Sequence, residues 1–336
     1  MKPKVLLTRA LMPEAVELLQ ADFDLEIGHT ERMLTKPELL KKIRGKDVIV
    51  SMLADQIDGE TLEAAQDLKL IANYAVGYNN IDVPATIEKN IPVVHTPDVL
   101  TDATADVAFA LLLAVARRIP EAHAYVVEGK FTAWKPDLLL GLELTGKTVG
   151  IVGMGRIGRA FARRCLGFGM SILYFSRTRL PSDREKELAA TYVTLEELLR
   201  QSDVVSLHVP LTDETRHLID ADKLALLKPD AILINTARGP VVDEPALIRV
   251  LKEKRIWGVG LDVYENEPHV PEALSRLDNC VLLPHIGSAT REARFKMAQI
   301  LHDAIVDFFA GRTPKTLVPE WKDRHPNIRL PFHAET

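Results

Sequence analysis

Short apolar runs alternate with amphipathic stretches along most of this 336-residue chain. Runs rich in Val, Ile and Leu predict strands, and stretches with apolar residues three and four positions apart predict helices. In the first hundred residues the pattern predicts strands at 4–8, 47–50, 70–74 and 92–95, and helices at 13–20, 35–45 and 82–90. Such alternation is typical of an α/β fold built on a parallel sheet.

The pattern resumes in the second half of the chain and predicts a second sheet. Strand and helix signals recur at 149–152, 171–175, 194–200, 204–209, 231–235, 245–251, 258–263 and 281–283. Between the two sets, one long helix rich in Ala and Leu is predicted from Ala103 to about Val127, and a final helix from Glu292 to Ala310. The segment from Val318 to Thr336 is rich in Pro, His and charge, so we expect a surface arm there.

The segment 148–178 has the strand, turn, helix and strand pattern of a dinucleotide-binding unit. An apolar run is followed by Gly153, Gly155 and Gly158, then by a helical stretch and a second apolar run. The first glycine permits a tight turn, the second lets the backbone approach a phosphate, and the third lets the helix pack closely on the strand. Dinucleotide binding is therefore predicted, with Arg156 and Ile157 at the start of the helix also contacting the cofactor.

The end of the second strand of this unit bears on the choice of cofactor. NAD sites usually carry an acidic residue there, which bonds the ribose 2′-hydroxyl. This chain instead has Ser176, Arg177, Thr178 and Arg179. Hydroxyl and guanidinium groups suit a 2′-phosphate, which a carboxylate would repel. The sequence therefore favours NADP(H), with NAD(H) as the alternative cofactor. If the two arginines are ordinary solvated charges, they carry no such preference.

Composition narrows the class of protein. The formal net charge is −5, and no basic run with interleaved aromatic residues indicates nucleic-acid binding. Cys165 and Cys280 lie among apolar residues and far apart in sequence, so buried free thiols in a reducing compartment are expected. No CxxC or HExxH pattern indicates a metal. The first residues lack the apolar core of a signal peptide, and no apolar run reaches the about 18 residues of a membrane span, so we expect a cytoplasmic protein with no membrane partner.

Several separated motifs resemble those of the D-isomer-specific 2-hydroxyacid dehydrogenases. They are NYAVGYNNID (73–82), GKTVGIVGMGRIG (146–158), SRT (176–178), NTARGPVVDE (235–244), GVGLDVYENEP (258–268) and LLPHIGSAT (282–290). The chain resembles this family over nearly its whole length. Within the family, it resembles the glyoxylate/hydroxypyruvate reductases.

The resemblance implies two Rossmann-like α/β domains with a cleft between them. A flavodoxin-like substrate-binding domain would comprise residues 1–100 and 289–336, with an NAD(P)-binding Rossmann domain, residues 101–288, inserted within it. Members of the family are usually homodimers. The resemblance therefore also implies a homodimer in which the long helix and the region of Trp134 cross to the partner subunit.

The activity that the resemblance implies is NADPH-dependent reduction of small 2-oxo acids, glyoxylate to glycolate and hydroxypyruvate to D-glycerate. Hydride transfer to such an acid requires a group that holds the carboxylate and polarises the carbonyl, and a proton donor. By similarity, Arg238 holds the carboxylate and carbonyl oxygens, and His285 is the general acid in reduction. Glu267 would pair with His285 and favour its charged form. Glu265 is a near neighbour, but the family's acidic residue directly precedes the proline.

The resemblance also implies further contacts with cofactor and substrate. Asp262 would bond the nicotinamide carboxamide, and the backbone of the turn Ala75–Gly77 would receive the substrate carboxylate. The other implied cofactor contacts are Thr104, Val209, Pro210, Thr215, Thr236, Ala237, Gly287 and Ser288. The implied substrate contacts are Leu53, Ala75, Val76, Gly77 and Trp134, in addition to Arg238 and His285.

Other functions remain open at this point. An enzyme of the same chemistry could act on a bulkier 2-keto acid, such as 2-ketogluconate or an aromatic pyruvate. A non-catalytic dinucleotide-binding scaffold, like the C-terminal-binding corepressors that resemble this fold, is disfavoured because Arg238, Glu267 and His285 are all present. Formate dehydrogenases resemble the same family, but their motif has Gln where this chain has Glu267.

Overall fold

The structure is a computed structural model that describes residues 2–324. The chain forms two compact units, each of which contains one parallel sheet. The first unit comprises the residues up to Val99 together with those from Thr290 onward, and the second comprises Leu100–Ala289. The predicted α/β class with two parallel sheets is confirmed.

The first unit is built on a five-stranded sheet. Its elements, numbered along the whole chain, are β1 (Lys4–Leu7), α1 (Pro13–Asp22), β2 (Asp24–Ile27), α2 (Lys36–Lys42), β3 (Val48–Ser51), α3 (Gly59–Ala64), β4 (Leu70–Asn73), α4 (Val83–Glu88), β5 (Val93–Val94), α13 (Arg291–Phe309) and α14 (Pro319–Lys322). The strand order is β2-β1-β3-β4-β5, and all neighbours are parallel. This is the flavodoxin-like order.

Two features of the first unit occur where the sequence predicted them. β3 and β4 are buried along their whole length, as expected of parallel strands covered on both faces. α2 begins at the predicted capping box, in which the backbone N–H of Thr35 donates to Glu38 Oε2 at 2.8 Å. The edge strand β2 was not predicted, because its sequence DLEI is only partly apolar and partly exposed.

Residues 318–324 pack within the first unit, where a surface arm was expected. Trp321 is only 2% exposed, and its Nε1 donates to Thr86 Oγ1 at 3.2 Å. The N–H of Val318 donates to Val93 O at 3.0 Å. The prediction is therefore wrong for residues 318–324, because an indole buries enough apolar surface to hold even a single turn of helix. Residues 325–336 lie outside the described part of the chain.

The second unit is built on a seven-stranded sheet. Its elements are α5 (Thr101–Ala116), α6 (Ile119–Val127), β6 (Thr148–Val152), α7 (Arg156–Gly167), β7 (Ser171–Phe175), α8 (Ser182–Glu187), β8 (Ala190–Tyr192), α9 (Leu195–Gln201), β9 (Val204–Leu207), α10 (Ala221–Leu224), β10 (Ile232–Asn235), a 3-10 turn (Gly239–Val241), α11 (Glu244–Lys252), β11 (Gly258–Leu261), α12 (Glu272–Ser275) and β12 (Cys280–Leu282). The parallel order is β8-β7-β6-β9-β10-β11-β12. Its first six strands follow the dinucleotide-binding order.

Apolar clusters cover both faces of the seven-stranded sheet. Successive strand residues point to opposite faces, and accordingly Val204 and Ile232 belong to one cluster while Val205 and Leu233 belong to the other. α5 and α7 contribute to the first cluster, and α9 and α11 to the second. Within residues 2–324, no helix combines the length and the hydropathy that a membrane crossing requires.

The predicted helix 103–127 is two helices, so that prediction is wrong. α5 ends at Ala116, α6 begins at Ile119, and Arg118 between them has a left-handed φ of 52°. In a continuous helix the ring of Pro120 would meet the carbonyl of Ala116. That carbonyl instead accepts the N–H of Leu142 at 2.8 Å.

Candidate active site

The turn after β6 brings the start of α7 against the end of the strand. Gly153 has a φ of +98°, a conformation that side chains rarely adopt. A Cβ on Gly158 would lie 2.2 Å from the carbonyl oxygen of Gly153. A side chain at Gly158 would therefore force the helix away from the strand, and one at Gly153 would collide with the carbonyl of His208.

The first turn of α7 forms a cradle for an anion. Gly155 caps the helix, and a Cβ placed on it would meet nothing within 4 Å, so open space lies in front of this end. The N–H groups of Arg156, Ile157 and Gly158 have no carbonyl within the helix to bind. Together with the positive end of the helix dipole, they suit a diphosphate.

At the end of β7 the two predicted phosphate-binding arginines differ in their surroundings. Arg179 donates from Nε and Nη2 to both carboxylate oxygens of Glu185, at 2.8 and 3.0 Å. Arg177 is exposed, and within residues 2–324 its guanidinium makes no hydrogen bond or close ion pair, although its charge helps to lower the pKa of Glu214. Thr178 is exposed and Ser176 half-buried. Glu185 therefore engages Arg179 and not Arg177.

The loop after β9 lies beside the glycine turn. A Cβ placed on Gly153 would lie only 2.9 Å from the side chain of Val209. Pro210 is exposed, and its carbonyl accepts a hydrogen bond from Thr215 Oγ1 at 2.6 Å. Thr215 also accepts the N–H of Thr212 at 2.8 Å. The hydroxyl of Thr215 thus shapes this loop.

The loop after β10 contains a buried hydroxyl without a protein partner. Thr236 is buried, and among residues 2–324 its Oγ1 has no hydrogen-bond partner. Asn235 holds the following residues, accepting from the N–H of Ala237 at 3.0 Å and donating to the carbonyl of Arg238 at 2.9 Å. A buried hydroxyl usually has a partner. The glycine cradle and this hydroxyl therefore fit a nicotinamide dinucleotide.

Arg238 lies in extended backbone at the start of the 3-10 turn, where its side chain is half-buried. Its Nη1 donates to the carbonyl of Ala237 at 2.7 Å. Burial lowers the pKa of Arg238, and the negative charge of Glu267 opposes this effect. Arg238 keeps its positive charge at neutral pH because the ordinary pKa of an arginine is so high.

Glu267 and His285 form a hydrogen-bonded pair. Glu267 Oε2 lies 2.7 Å from His285 Nδ1, and the other carboxylate oxygen accepts the N–H of Tyr264 at 3.0 Å. Burial alone would raise the pKa of Glu267, but His285, the Tyr264 N–H and Arg238 together hold it below its ordinary value. Both members of the pair are about one-third exposed, with side-chain values of 27% and 31%.

Asp262 holds the loop that carries His285. Its two carboxylate oxygens each accept a backbone N–H at 2.7 Å, one from Ile286 and one from Gly287. Burial raises the pKa of Asp262, and these N–H groups and the charge of His285 oppose the rise. Thr104 lies beside the same loop. A Cβ placed on Gly287 would come within 3.3 Å of the methyl group of Thr104. Ser288, half-buried, follows in the chain.

The neighbouring histidines have separate surroundings. His217 Nε2 lies 2.7 Å from Glu265 Oε1, so each of the two glutamates in this segment has its own histidine. His208 Nε2 lies 2.9 Å from Ser206 Oγ, and burial lowers the pKa of His208 to about 3.

In the first unit, the turn Ala75–Gly77 follows β4 after one residue, Tyr74, and Leu53 is half-buried after β3. The residues that hold the turn, Asn73 and His95, were given no role from the sequence. Both are buried polar side chains at the carboxyl ends of adjacent parallel strands, where ligand sites of α/β proteins lie. Their position at the ends of two predicted strands could have identified Asn73 and His95 from the sequence.

Trp134 belongs to the second unit and is 79% exposed. α6 has no buried residue, and its Ile119, Val126 and Val127 are more than half exposed. Trp134 is thus one of several large apolar side chains that the second unit exposes.

Comparison with known proteins is consistent with this geometry. Residues 109–287 match the family model described as "D-isomer specific 2-hydroxyacid dehydrogenase, NAD binding domain". A glyoxylate reductase of Pyrococcus furiosus is 52% identical over 322 residues, which cover 95% of this chain and 96% of the relative. The Thermococcus kodakarensis glyoxylate reductase is also 52% identical over the same shares of the two chains.

Solved structures share the fold. The TT0316 protein from Thermus thermophilus superposes with a TM-score of 0.88 at 46% identity, covering 94% of this chain and 99% of that one. An NADPH-dependent glyoxylate/hydroxypyruvate reductase from Sinorhizobium meliloti, in complex with NADP and malonate, gives 0.84 at 36% identity, covering 95% and 98%. The chain is thus an oxidoreductase that uses a nicotinamide dinucleotide, and it belongs to the D-isomer-specific 2-hydroxyacid dehydrogenases.

Proposed function

We propose that this protein reduces small 2-oxo acids with NADPH, converting glyoxylate to glycolate and hydroxypyruvate to D-glycerate. The observation that carries the proposal is the grouping of Arg238, Glu267 and His285, in which Glu267 is hydrogen-bonded to His285 and its pKa is lowered by both cations. The names of the similar proteins support the choice of substrate.

The chain's own residues would then bind the substrate and move a proton. Arg238 binds the carboxylate and the carbonyl oxygen of the 2-oxo acid through its planar set of donors. His285 is held at Nδ1 by Glu267 and presents Nε2, from which it donates a proton to the developing alkoxide. The bound nicotinamide supplies the hydride. In the oxidative direction His285 takes the proton back.

The second unit provides the cofactor contacts that we propose. Gly153–Gly158 would hold the diphosphate, beside Val209, Pro210 and Thr215. Asp262 would bind the nicotinamide carboxamide, because its carboxylate can accept a hydrogen bond in addition to those from its two backbone N–H groups. The other residues that would contact the nicotinamide end are Thr104, Thr236, Ala237, Gly287 and Ser288.

The preference for NADPH is proposed from the loop after β7. Arg177 is exposed, and Ser176 and Thr178 offer hydroxyl groups for a 2′-phosphate. The nearby carboxylate of Glu185 is engaged by Arg179 and by the hydroxyl of Tyr174, so its charge is compensated. The Sinorhizobium meliloti relative is described as NADPH-dependent, which supports this proposal.

We also propose that a domain of residues 1–100 and 289–336, which differs from the first unit by one residue at each boundary, binds the substrate. The turn Ala75–Gly77 would receive its carboxylate through backbone N–H groups, and Leu53 would shape the apolar side of the pocket. The exposed apolar side chains of α6 and of Trp134 would be covered by a second copy of the chain. Sedimentation of the purified protein tests this last point, and a monomer at micromolar concentration would contradict it.

Steady-state assays of one purified preparation test the proposal. Glyoxylate, hydroxypyruvate, 2-ketogluconate and phenylpyruvate are each assayed with NADPH and with NADH. The highest kcat/KM is expected for the two small acids with NADPH. Higher values for the bulky acids would instead support the alternative substrate class. No turnover with any of the four acids would overturn the proposal.

A further inference from the structure

The turn Ala75–Gly77 has all three of its backbone carbonyls hydrogen-bonded. The oxygens of Ala75, Val76 and Gly77 accept from three different donors, in that order the N–H of Thr96 (2.9 Å), Nδ1 of His95 (2.8 Å) and Nδ2 of Asn73 (2.9 Å). Two of these donors are side chains from the ends of neighbouring strands β4 and β5. The conformation of the turn is therefore set by residues outside it.

A hydrogen bond that fixes the direction of a backbone carbonyl also fixes the direction of the N–H group in the same peptide. In a trans peptide the N–H points away from the carbonyl of the preceding residue. The bond to the Ala75 carbonyl thus aims the N–H of Val76, and the bond from His95 to the Val76 carbonyl aims the N–H of Gly77. Within residues 2–324, neither of these two N–H groups donates to a protein acceptor. The turn holds adjacent donors ready for an external acceptor.

His95 is well placed to hold this peptide. The residue is 9% exposed, its own N–H donates to the carbonyl of Thr316 at 3.0 Å, and its ring meets that of Tyr78 edge-on at 5.7 Å. Because the Val76 carbonyl can only accept, Nδ1 of His95 must carry the hydrogen. The His95 side chain thereby fixes the Val76–Gly77 peptide plane.

Asn73 acts in the same way on the next peptide. Its Oδ1 accepts from Ser51 Oγ at 3.1 Å and from Asn80 Nδ2 at 3.4 Å, which orients its Nδ2 towards the carbonyl of Gly77. Asn73 is fully buried, so this amide has no water to replace its partners. The two side chains together prevent the turn from rotating its carbonyls outward.

We propose that His95 is a positioning residue for substrate binding, which aims the N–H of Gly77 at the carboxylate of the 2-oxo acid. The inference rests on the proposed function and adds a residue that does not itself touch the substrate. Donors that are fixed before the substrate arrives need no reorganisation on binding. Loss of the His95 contact should therefore weaken binding of the carboxylate more than it slows the chemical step.

The test compares His95→Leu, which removes the donor, with His95→Asn, whose amide nitrogen can occupy the place of Nδ1. His302→Asn is the matched control, since His302 is a largely buried histidine of the same unit that pairs with Asp22 at 2.9 Å. In His95→Leu the KM for glyoxylate should rise about tenfold with little change in kcat or in the KM for NADPH. His95→Asn should recover most of the loss, and His302→Asn should match the wild type.

Calorimetry with oxamate, an unreactive analogue that carries the same carboxylate, separates this inference from the proposed function. Weaker oxamate binding in His95→Leu supports the inference even if glyoxylate is not reduced. A folded His95→Leu with wild-type KM and oxamate affinity overturns it. If that variant does not fold, His95→Gln, with its amide displaced by one methylene, replaces it and must be weaker than His95→Asn. A wild type that neither reduces glyoxylate nor binds oxamate overturns both proposals.

Discussion

Glu267 Oε2 lies 2.7 Å from Nδ1 of His285, and this contact fixes which ring nitrogen can face a substrate. The carboxylate is itself fixed, because its second oxygen accepts the N–H of Tyr264 at 3.0 Å. The loop behind His285 is held by Asp262 through the N–H groups of Ile286 and Gly287. The ring is therefore oriented both through its side chain and through its backbone.

Replacing Glu267 by Gln keeps the size of the side chain and removes its charge. We expect kcat/KM for glyoxylate reduction to fall about 10²-fold, at the lower end of the effect of an acid–base group. Steady-state kinetics of glyoxylate reduction measure this loss, and a wild-type kcat/KM in the variant would contradict the role given to Glu267.

Glu267→Gln should also change how the free energy of unfolding depends on pH. The pKa of Glu267 is held below its ordinary value of 4.5, so its ionised form stabilises the fold above that pH. The contribution is lost as the pH falls through the lowered folded pKa. Urea unfolding should therefore show Glu267→Gln to be less stable than the wild type at pH 7, with a deficit that shrinks in acid.

Arg177 and Arg179 allow a matched comparison of cofactor preference. Arg177→Ala should weaken NADPH binding by about 1.5–3 kcal/mol, the value of a hydrogen bond to a charged group, and leave NADH binding nearly unchanged. Arg179→Ala is the control, since Arg179 is engaged with Glu185. Binding of both cofactors is measured by fluorescence titration. Equal losses of NADPH and NADH in Arg177→Ala would show that this residue does not contact the 2′-phosphate.

His208 should make stability depend on pH. Burial lowers its pKa from 6.5 to about 3, so between these values the unfolded chain binds a proton that the folded chain does not. The free energy of unfolding therefore decreases as the pH falls from 6.5, by at most about 1.4 kcal/mol per pH unit from this group. His208→Gln keeps an amide near Ser206 Oγ and removes the titration. Its stability should fall less steeply between pH 6.5 and pH 5, whereas parallel curves would contradict the assignment.

The indole of Trp321 should carry much of the stability of the C-terminal segment. Truncating such a buried aromatic residue typically costs about 3–5 kcal/mol, and we expect a loss of this size for Trp321→Ala in chemical denaturation. Trp321→Phe should lose about 1 kcal/mol with the hydrogen bond to Thr86. Lys322→Ala, at the exposed neighbouring position, is the control and should leave the midpoint unchanged. A wild-type midpoint for Trp321→Ala would contradict this prediction.

Features with a fixed spacing could be predicted from the sequence. The glycine turn at Gly153 follows from local backbone requirements, as do the capping boxes at Thr35 and Thr194. The break at Arg118 could not be predicted by periodicity, because the apolar pattern continues through it. The competing partner of the Ala116 carbonyl, Leu142, lies far along the chain.

Within the candidate site, residue types could be predicted but not the partners of each side chain. The sequence offered Arg177 and Arg179 as equivalent cations, and the choice depends on Glu185 in α8. Likewise, the hydrogen bond from His95 to Val76 joins two segments whose relation appears only in the folded unit. Such contacts are set by tertiary packing, on which local sequence patterns carry no information.

The exposed positions of Arg177 and Thr178 have a consequence for how this enzyme could change. Neither residue belongs to the apolar clusters on the two faces of the second sheet. Exchanges at exposed positions usually alter folding stability by less than about 0.5 kcal/mol. If the proposed function holds, a few substitutions after β7 could therefore change the preferred coenzyme during evolution. The rest of the fold and the pair Glu267 and His285 would stay the same.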